Sequence, residues 1–320
     1  MVSRAYGLLL CILLCGTPGA RAQAQAPQAD WAQLEEARAL IADRANPRLG
    51  EALDLLRRAI EQAGTFPEAE MALAEIYSRE GALGLAEERL RKALEAEKLL
   101  RVPDDRFAIL YRLAEIYETQ NRYYDMEQAL ARIVGEQAEF SSTPEAQRFQ
   151  NAFLSAYITR GLDHLLRLYR LDGATFALRA HAKLGWFYYR TGRHDPASIL
   201  HSLAALDIMI TESVREIRLV DPNFEFRSLG GYLDVAWKRE NIRSFLAEQE
   251  FFSVAYHLGA AAYPAGRRAR AREIWRFVAG LRLEDRQLGG YGELSRRQLK
   301  APWVDPLINP SSRRIEYPQN

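Results

Sequence analysis

The residues able to do chemistry are few and scattered. Five histidines, His164, His181, His194, His201 and His257, are the imidazoles of this 320-residue chain. None falls in a His-Glu-x-x-His or His-x-x-x-His spacing, which would aim two ring nitrogens from one helix face at a zinc ion. His194 and His201 are seven residues apart and can share a helix face, while His181 and His201 can meet only if two helices pack together. Packing and hydrogen bonding within one helical hairpin is the expectation for them, and no metal site is expected. Acidic residues number 42, with neighbours such as Glu87-Glu88 and Asp104-Asp105. Glycoside hydrolysis needs two carboxylates facing each other across a cleft, and spacing singles out no such pair. There is no Gly-x-Ser-x-Gly elbow, phosphate loop or dinucleotide fingerprint, and Gly230-Gly231 reads as a turn. The expectation is a non-catalytic chain that needs no cofactor.

The two cysteines, Cys11 and Cys15, lie in a segment that reads as a targeting signal. Arg4 precedes an apolar run from Ala5 to Cys15, followed by Gly16, Pro18, Gly19 and the small-x-small stop Ala20-Arg21-Ala22. The run is far shorter than the roughly 20 residues that span a bilayer. Residues 1–22 are therefore expected to be a cleaved secretory signal, 23–30 a linker, and the destination the periplasm. The remaining chain would hold neither thiol nor disulfide. Lipidation of Cys15 is the alternative, and would tether the chain to a membrane. Lys and Arg total 43, so the net charge is +1, and loss of Arg4 and Arg21 would make it −1. That balance excludes the basic footprint of a nucleic-acid binder. With 48% hydrophobic and 27% charged residues, the chain is also not a disordered one.

The elements that must position any site are helical and repeat. Leu73, Ala74, Tyr77, Gly81, Ala86, Leu90 and Ala93 set a spacing. Leu113, Ala114, Tyr117, Asn121, Met126, Leu130 and Ile133 reproduce it, with Asn in the glycine position. So do Leu184, Gly185, Tyr188, Gly192, Ala197, His201 and Ala204, and again Leu258, Gly259, Ala262, Gly266, Ala271, Trp275 and Val278. Phe153, Tyr157 and Gly161 make a weaker copy, and Ala52, Leu56 and Ala59 end a degenerate first one. Residues four apart share a helix face, and a glycine between two such stretches permits a left-handed turn. A single hairpin cannot bury its own apolar face, so copies must stack. From Ala197 to Asp221 there is neither Gly nor Pro, and Ile199, Leu203, Leu206, Ile210, Val214 and Ile217 form one stripe, which predicts a single long helix. Residues 224–241 read as a loop or a poorly matched helix, and 281–320 as an extended tail whose Trp303, Val304, Leu307 and Ile308 pack back on the helices.

The pattern resembles the tetratricopeptide repeat (TPR) family over roughly residues 30–280, most clearly from Ala182 to His194. The tyrosine anchors Tyr77, Tyr117, Tyr157 and Tyr188 are 40, 40 and 31 apart, a departure from that family's constant repeat. The resemblance implies an all-α fold: a right-handed TPR-like α-solenoid of about six antiparallel hairpins over 31–280. It also implies that the first helix of each hairpin lines a concave groove. The positions left free of packing there are Tyr111, Glu115, Arg148, Asn151, Arg179, Trp186, Tyr189, Arg190, Tyr256 and Tyr263, joined by Met71, Glu75 and Ser155. Aromatics mixed with arginine are the composition of protein-interaction hot spots. Trp186 and Tyr189 either face this groove or are buried against the long helix or the tail.

Charge is uneven along the chain. Residues 31–100 carry 14 acids and 10 bases, whereas 264–300 carry 10 bases and 4 acids. The basic end reads first as a solvated helix face, and second as a surface for an anionic membrane or acidic partner. The functional expectation is a periplasmic adaptor or scaffold holding a protein or peptide in its groove. Two alternatives stand beside it: a transporter-associated protein enclosing a small apolar ligand, and a peptidoglycan-acting envelope enzyme.

Overall fold

The computed structural model describes residues 31–43, 45–192, 194–281, 283 and 287–308. The expected signal segment with Cys11 and Cys15, the linker 23–30 and the last part of the tail lie outside the described residues. Fifteen α-helices occur among the described residues, and no strand. They are α1 Trp31–Ala42, α2 Leu49–Ala63, α3 Pro67–Arg79, α4 Leu83–Glu95, α5 Asp105–Thr119, α6 Tyr123–Gly135, α7 Pro144–Arg160 and α8 Leu162–Leu168. The series continues with α9 Leu178–Arg190, α10 Ile199–Arg218, α11 Leu229–Ala236, α12 Glu240–Glu248, α13 Phe251–Ala262, α14 Arg268–Gly280 and α15 Tyr291–Lys300.

The turns within the pairs α3/α4, α5/α6, α9/α10 and α13/α14 are built alike. Gly81, Asn121, Gly192 and Gly266 each take a left-handed φ, between 59° and 80°. Asn is the side chain that tolerates this region best after glycine. In three of these turns the same bond closes the first helix: Ala82 N–H to Tyr77 C=O (2.8 Å), Arg122 N–H to Tyr117 C=O (2.7 Å) and Arg267 N–H to Ala262 C=O (2.9 Å). It reaches five residues back and satisfies a carbonyl the helix end would otherwise orphan.

The tyrosine anchors also occupy matching places. Tyr77 on α3 accepts a hydrogen bond from Arg57 on α2 (3.5 Å), and Tyr117 on α5 accepts one from Arg91 on α4 (3.3 Å). Tyr188 on α9 donates to Glu127 on α6 (3.0 Å). Each reaches from the first helix of one pair to the second helix of the pair packed before it. Helix α9 packs directly on α6, and α13 on both α9 and α10. The weak copy around Phe153 and Tyr157 does not sit between these pairs. Its second helix, α8, has only seven residues, too few to cover a neighbouring pair. Phe153 and Tyr157 are instead buried to the side, in the core around α10.

Two apolar cores result. The first gathers α1–α6 and receives Ala177, Ala180, Leu184 and Phe187 from the α9 segment. The second gathers α7–α14 and receives Leu178 and Tyr189 from α9. Each fully buried Leu, Ile or Phe contributes about 1.5–3 kcal/mol. Helix α10, with its preceding π turn, is long and apolar enough to cross a membrane, but its most apolar window is 89% buried inside the molecule, so it serves as a core helix. Asp207, buried in it, accepts the Leu171 N–H at 2.7 Å and so ties down the loop before α9. Desolvation pushes its carboxyl up to about 7.

Of the two alternatives for residues 224–241, a loop or a poorly matched helix, the helix forms as α11, with the first two residues of α12 at the end of the range. One expectation is corrected. The segment after 281 is not wholly extended, because Tyr291–Lys300 is a helix packed on α14. Residues 301–308 lack regular structure and return to α9: Ile308 N–H donates to Arg190 C=O at 2.6 Å, and Leu307 lies over Gly192.

Two helical glycines set how closely the later pairs approach. A Cβ on Gly259 would come within 2.5 Å of the buried Trp275 ring, and one on Gly185 within 2.5 Å of the Ser202 hydroxyl and 3.0 Å of its backbone nitrogen. Alanine is favoured over glycine inside a helix by about 1 kcal/mol, yet overpacking a filled core costs about 1–3 kcal/mol. Gly259→Ala is therefore expected to lower the urea midpoint of unfolding. Gly84→Ala, on exposed α4 where a Cβ meets nothing within 4 Å, is expected to raise it or leave it unchanged.

Candidate functional site

The first helices α5, α9 and α13 open onto one cleft. Along α9, Leu178, Ala182, Trp186 and Arg190 follow at four-residue steps, with Arg179 and Lys183 beside them, so a single helix face supplies the floor. Glu248, Gln249 and Glu250 at the α12–α13 junction, Ser253, Tyr256 and His257 on α13, and Tyr291 and Arg297 on α15 form the walls, and Trp303 and Asp305 of the returning tail close one end. This part has a volume of about 1030 Å³. A smaller recess of about 520 Å³ between α5 and α9, lined by Phe107, Tyr111, Glu115 and Phe176, adjoins it through Leu178, Arg179 and Gln249.

The expected groove residues divide sharply. Arg179, Trp186, Arg190 and Tyr256 line the large part, and Tyr111, Glu115 and Arg179 line the recess. Tyr111 works as a clamp: its hydroxyl donates to Phe176 C=O at 2.6 Å and accepts from Ala180 N–H at 3.1 Å, fixing the start of α9 against α5. Burial pushes its phenol up to about 12. Arg179 pairs with Glu115 at 2.9 Å and lies over the Tyr111 ring. Trp186 is half-buried on the cleft floor, with Lys183 and Arg190 over its ring.

Four expected residues lie elsewhere. Tyr189 is 1% exposed in the second core, where its hydroxyl donates to Asp305 Oδ2 (2.9 Å) and accepts the Asp305 N–H (3.0 Å). Tyr263 packs on Trp275 with Arg268 over its ring, away from the cleft. Arg148 and Asn151 are on exposed α7, paired with Glu145 and Gln147. They drop out because α7 stands aside from the line of pairs. The basic stretch 264–300 is largely a solvated face, with Arg272 and Arg276 exposed. Arg270 differs, donating to the Ile158 and Thr159 carbonyls at the end of α7. Residues of α12, α15 and the tail on the cleft wall carried no repeat signal; of them Trp303 was read, with Val304, Leu307 and Ile308, as an apolar residue packing back on the helices.

Ser253, His257 and Asp305 meet in the cleft, yet they do not assemble a proton relay. Ser253 donates to the Tyr291 hydroxyl at 2.9 Å, and His257 Nδ1 lies 3.4 Å from the Ser253 oxygen. Asp305 is engaged by Tyr189 and by Trp303 Nε1 (3.3 Å), and among the described residues no hydrogen bond joins it to His257. Desolvation holds His257 down at about 4. No group of three or more His, Cys, Asp or Glu side chains suited to a metal ion occurs among the described residues.

His181 and His201 do meet, beneath the cleft floor. Their Nδ1 atoms are 2.8 Å apart, and His181 Nε2 is 2.9 Å from Gln137 Oε1. With His181 donating through Nε2, its Nδ1 carries the lone pair, and His201 supplies the proton between the rings. Phe140 packs on both rings.

No family model matches the chain, and no solved structure matches it. It is 24% identical over 217 residues to an uncharacterized protein of Treponema pallidum (strain Nichols), covering 68% of this chain and 58% of that one. It is 23% identical over 275 residues to an uncharacterized protein of Borreliella burgdorferi, covering 78% of this chain and 84% of that one. The chain thus spans little more than half the length of the treponemal relative.

The histidine pair predicts an acid-side loss of stability. Desolvation lowers both imidazoles, His201 to about 4, and the charge of His201 further opposes protonation of His181. Unfolded, both take up protons near pH 6.5. At these two rings the unfolded chain therefore binds more protons than the folded one as pH falls from about 6.5 to about 4, and their loss of stability through that window outweighs the opposite contribution of the raised carboxyl of Asp207. Urea midpoints measured across it should fall, and His201→Gln should make the fall shallower.

Proposed function

We propose that this chain is a TPR-like helical solenoid that works without catalysis, as an exported adaptor holding an extended protein segment in the cleft formed by α5, α9 and α13. The stacking of α3/α4, α5/α6, α9/α10 and α13/α14 through matching turns and tyrosine contacts supports the solenoid reading. On this reading α7/α8 and α11/α12 are insertions that leave the line of pairs intact.

The observation that carries the binding role is the tail. Residues 301–308 run extended along the end of α9, joined to it by a backbone bond from Ile308 to Arg190 and by the two Asp305–Tyr189 bonds, with Trp303 on the cleft wall. A cleft that already holds one extended segment by backbone and side-chain contacts is shaped for another. Trp186 and the arginines beside it provide the anchor chemistry. Export to the periplasm follows from the amino-terminal pattern. A second reading, capture of a small ligand, is favoured by the partly enclosed 1030 Å³ space at the cleft's closed end.

The test is site-specific photo-crosslinking in cells. A crosslinker at Gln249 or Trp186 in the cleft should trap a partner protein, while one at Arg276 on the outer face of α14 should not. Trapping from Arg276 alone would reject the cleft as the binding surface.

A further inference from the structure

Among the described residues the cleft holds one buried cation without an ion-pair partner, whereas the exposed Arg297 lies over the Trp303 ring. Arg190 is 8% exposed, its Nε is buried without a hydrogen-bond partner, and among the described residues no carboxylate lies within ion-pair distance of its guanidinium. The neighbouring cations behave otherwise: Arg179 pairs with Glu115 and Lys183 with Glu118 (2.6 Å). The Arg190 guanidinium lies over the Trp186 ring, 5.8 Å from its centroid. An unpaired buried charge is costly, and the end of a helix together with one aromatic face offsets only part of that cost.

The walls beside it present further unused donors. Tyr291 accepts from Ser253, and Tyr256 accepts from Gln298 Nε2 at 3.2 Å, but neither phenol has an acceptor for its own proton among the described residues. The His257 ring lies beside them, 5.2 Å from the Tyr256 ring and 5.7 Å from Tyr291. Asp305, the nearby carboxylate, already accepts from Tyr189 and Trp303.

We infer that Arg190 anchors a carboxylate-binding site, in which the ligand's carboxylate accepts from the guanidinium and the Tyr291 hydroxyl while its apolar part lies between Trp186 and Trp303. A monoanion fits best, because the acids Glu118, Glu248, Glu250 and Asp305 line the same space and oppose a more highly charged group. The planar fork of arginine matches a carboxylate. The site deepens the proposed cleft function, and the carboxylate comes either from an acidic residue of a bound peptide or from a free small acid.

Calorimetric titration of the purified chain tests this. Benzoate should bind saturably and benzamide, its uncharged counterpart, at least tenfold more weakly. Charge-assisted hydrogen bonds of this kind are worth roughly 10- to 100-fold in affinity, so Arg190→Gln should lose at least tenfold for benzoate and leave benzamide unchanged. Arg190→Lys should retain part of the affinity, and Tyr291→Phe should lose a smaller factor. The comparison of benzoate with benzamide uses the unaltered chain and needs no variant to fold. Equal binding of the two, or no binding of either up to tens of millimolar, overturns the carboxylate site. Blocked peptides carrying an internal Phe-Glu or Phe-Gln separate the sources. Binding of the Glu peptide alone supports a peptide ligand. Binding of benzoate but of neither peptide supports a free acid and rejects the extended-segment reading. Equal binding of both peptides keeps the cleft function and rejects the carboxylate site.

Discussion

Helix α9 is covered on two sides, and that double burial governs the molecule. One flank gives Ala180, Leu184 and Phe187 to the core of α1–α6. Another gives Leu178 and Tyr189 to the core of α7–α14. Only the remaining strip, from Arg179 through Trp186 to Arg190, faces open space, and it becomes the cleft floor. A helix buried on two flanks cannot rotate to ease a poor contact, so its exposed side chains are held in place by packing they do not share in. Gly185 serves this arrangement, since any side chain there would push α10 away.

The cleft is mixed in charge and lined by several aromatics. Four acids and four Arg or Lys side chains line its larger part. Opposed charges of equal number give little long-range attraction, so selectivity must arise from local pairing and shape. Two of the cations are paired across helices. The pairs Arg179–Glu115 and Lys183–Glu118 fasten α9 to α5 while also shaping the wall. The same side chains thus carry structure and surface, and the unpaired Arg190 stands out against them.

Much of the fold was legible because turns and close contacts demand particular residue types. A left-handed turn four residues after each anchor accepts Gly or Asn and little else, so Gly81, Asn121, Gly192 and Gly266 mark the register from sequence. Tyr157 carries the same local pattern, yet its partner helix is too short, and helix length is set by tertiary packing more than by the anchor. For the cleft, Arg179, Trp186 and Arg190 were legible from position within the repeat. For Tyr189 the sequence left two readings open, groove or burial against the tail, and the second holds: adjacent residues on a helix differ by about 100° in direction, and its hydroxyl bonds Asp305, 116 residues away. The contributions of α12, α15 and the tail are likewise long-range and follow no period.

One helix belonging to two cores leaves no seam along which the chain can part. In many helical arrays each unit meets only its neighbours, and the ends fray independently. Here, melting the amino-terminal half strips α9 of half its covering and uncovers the wall against which the other half is built. Damage in either half is therefore felt in both, and the cleft is lost as a single event rather than by stages.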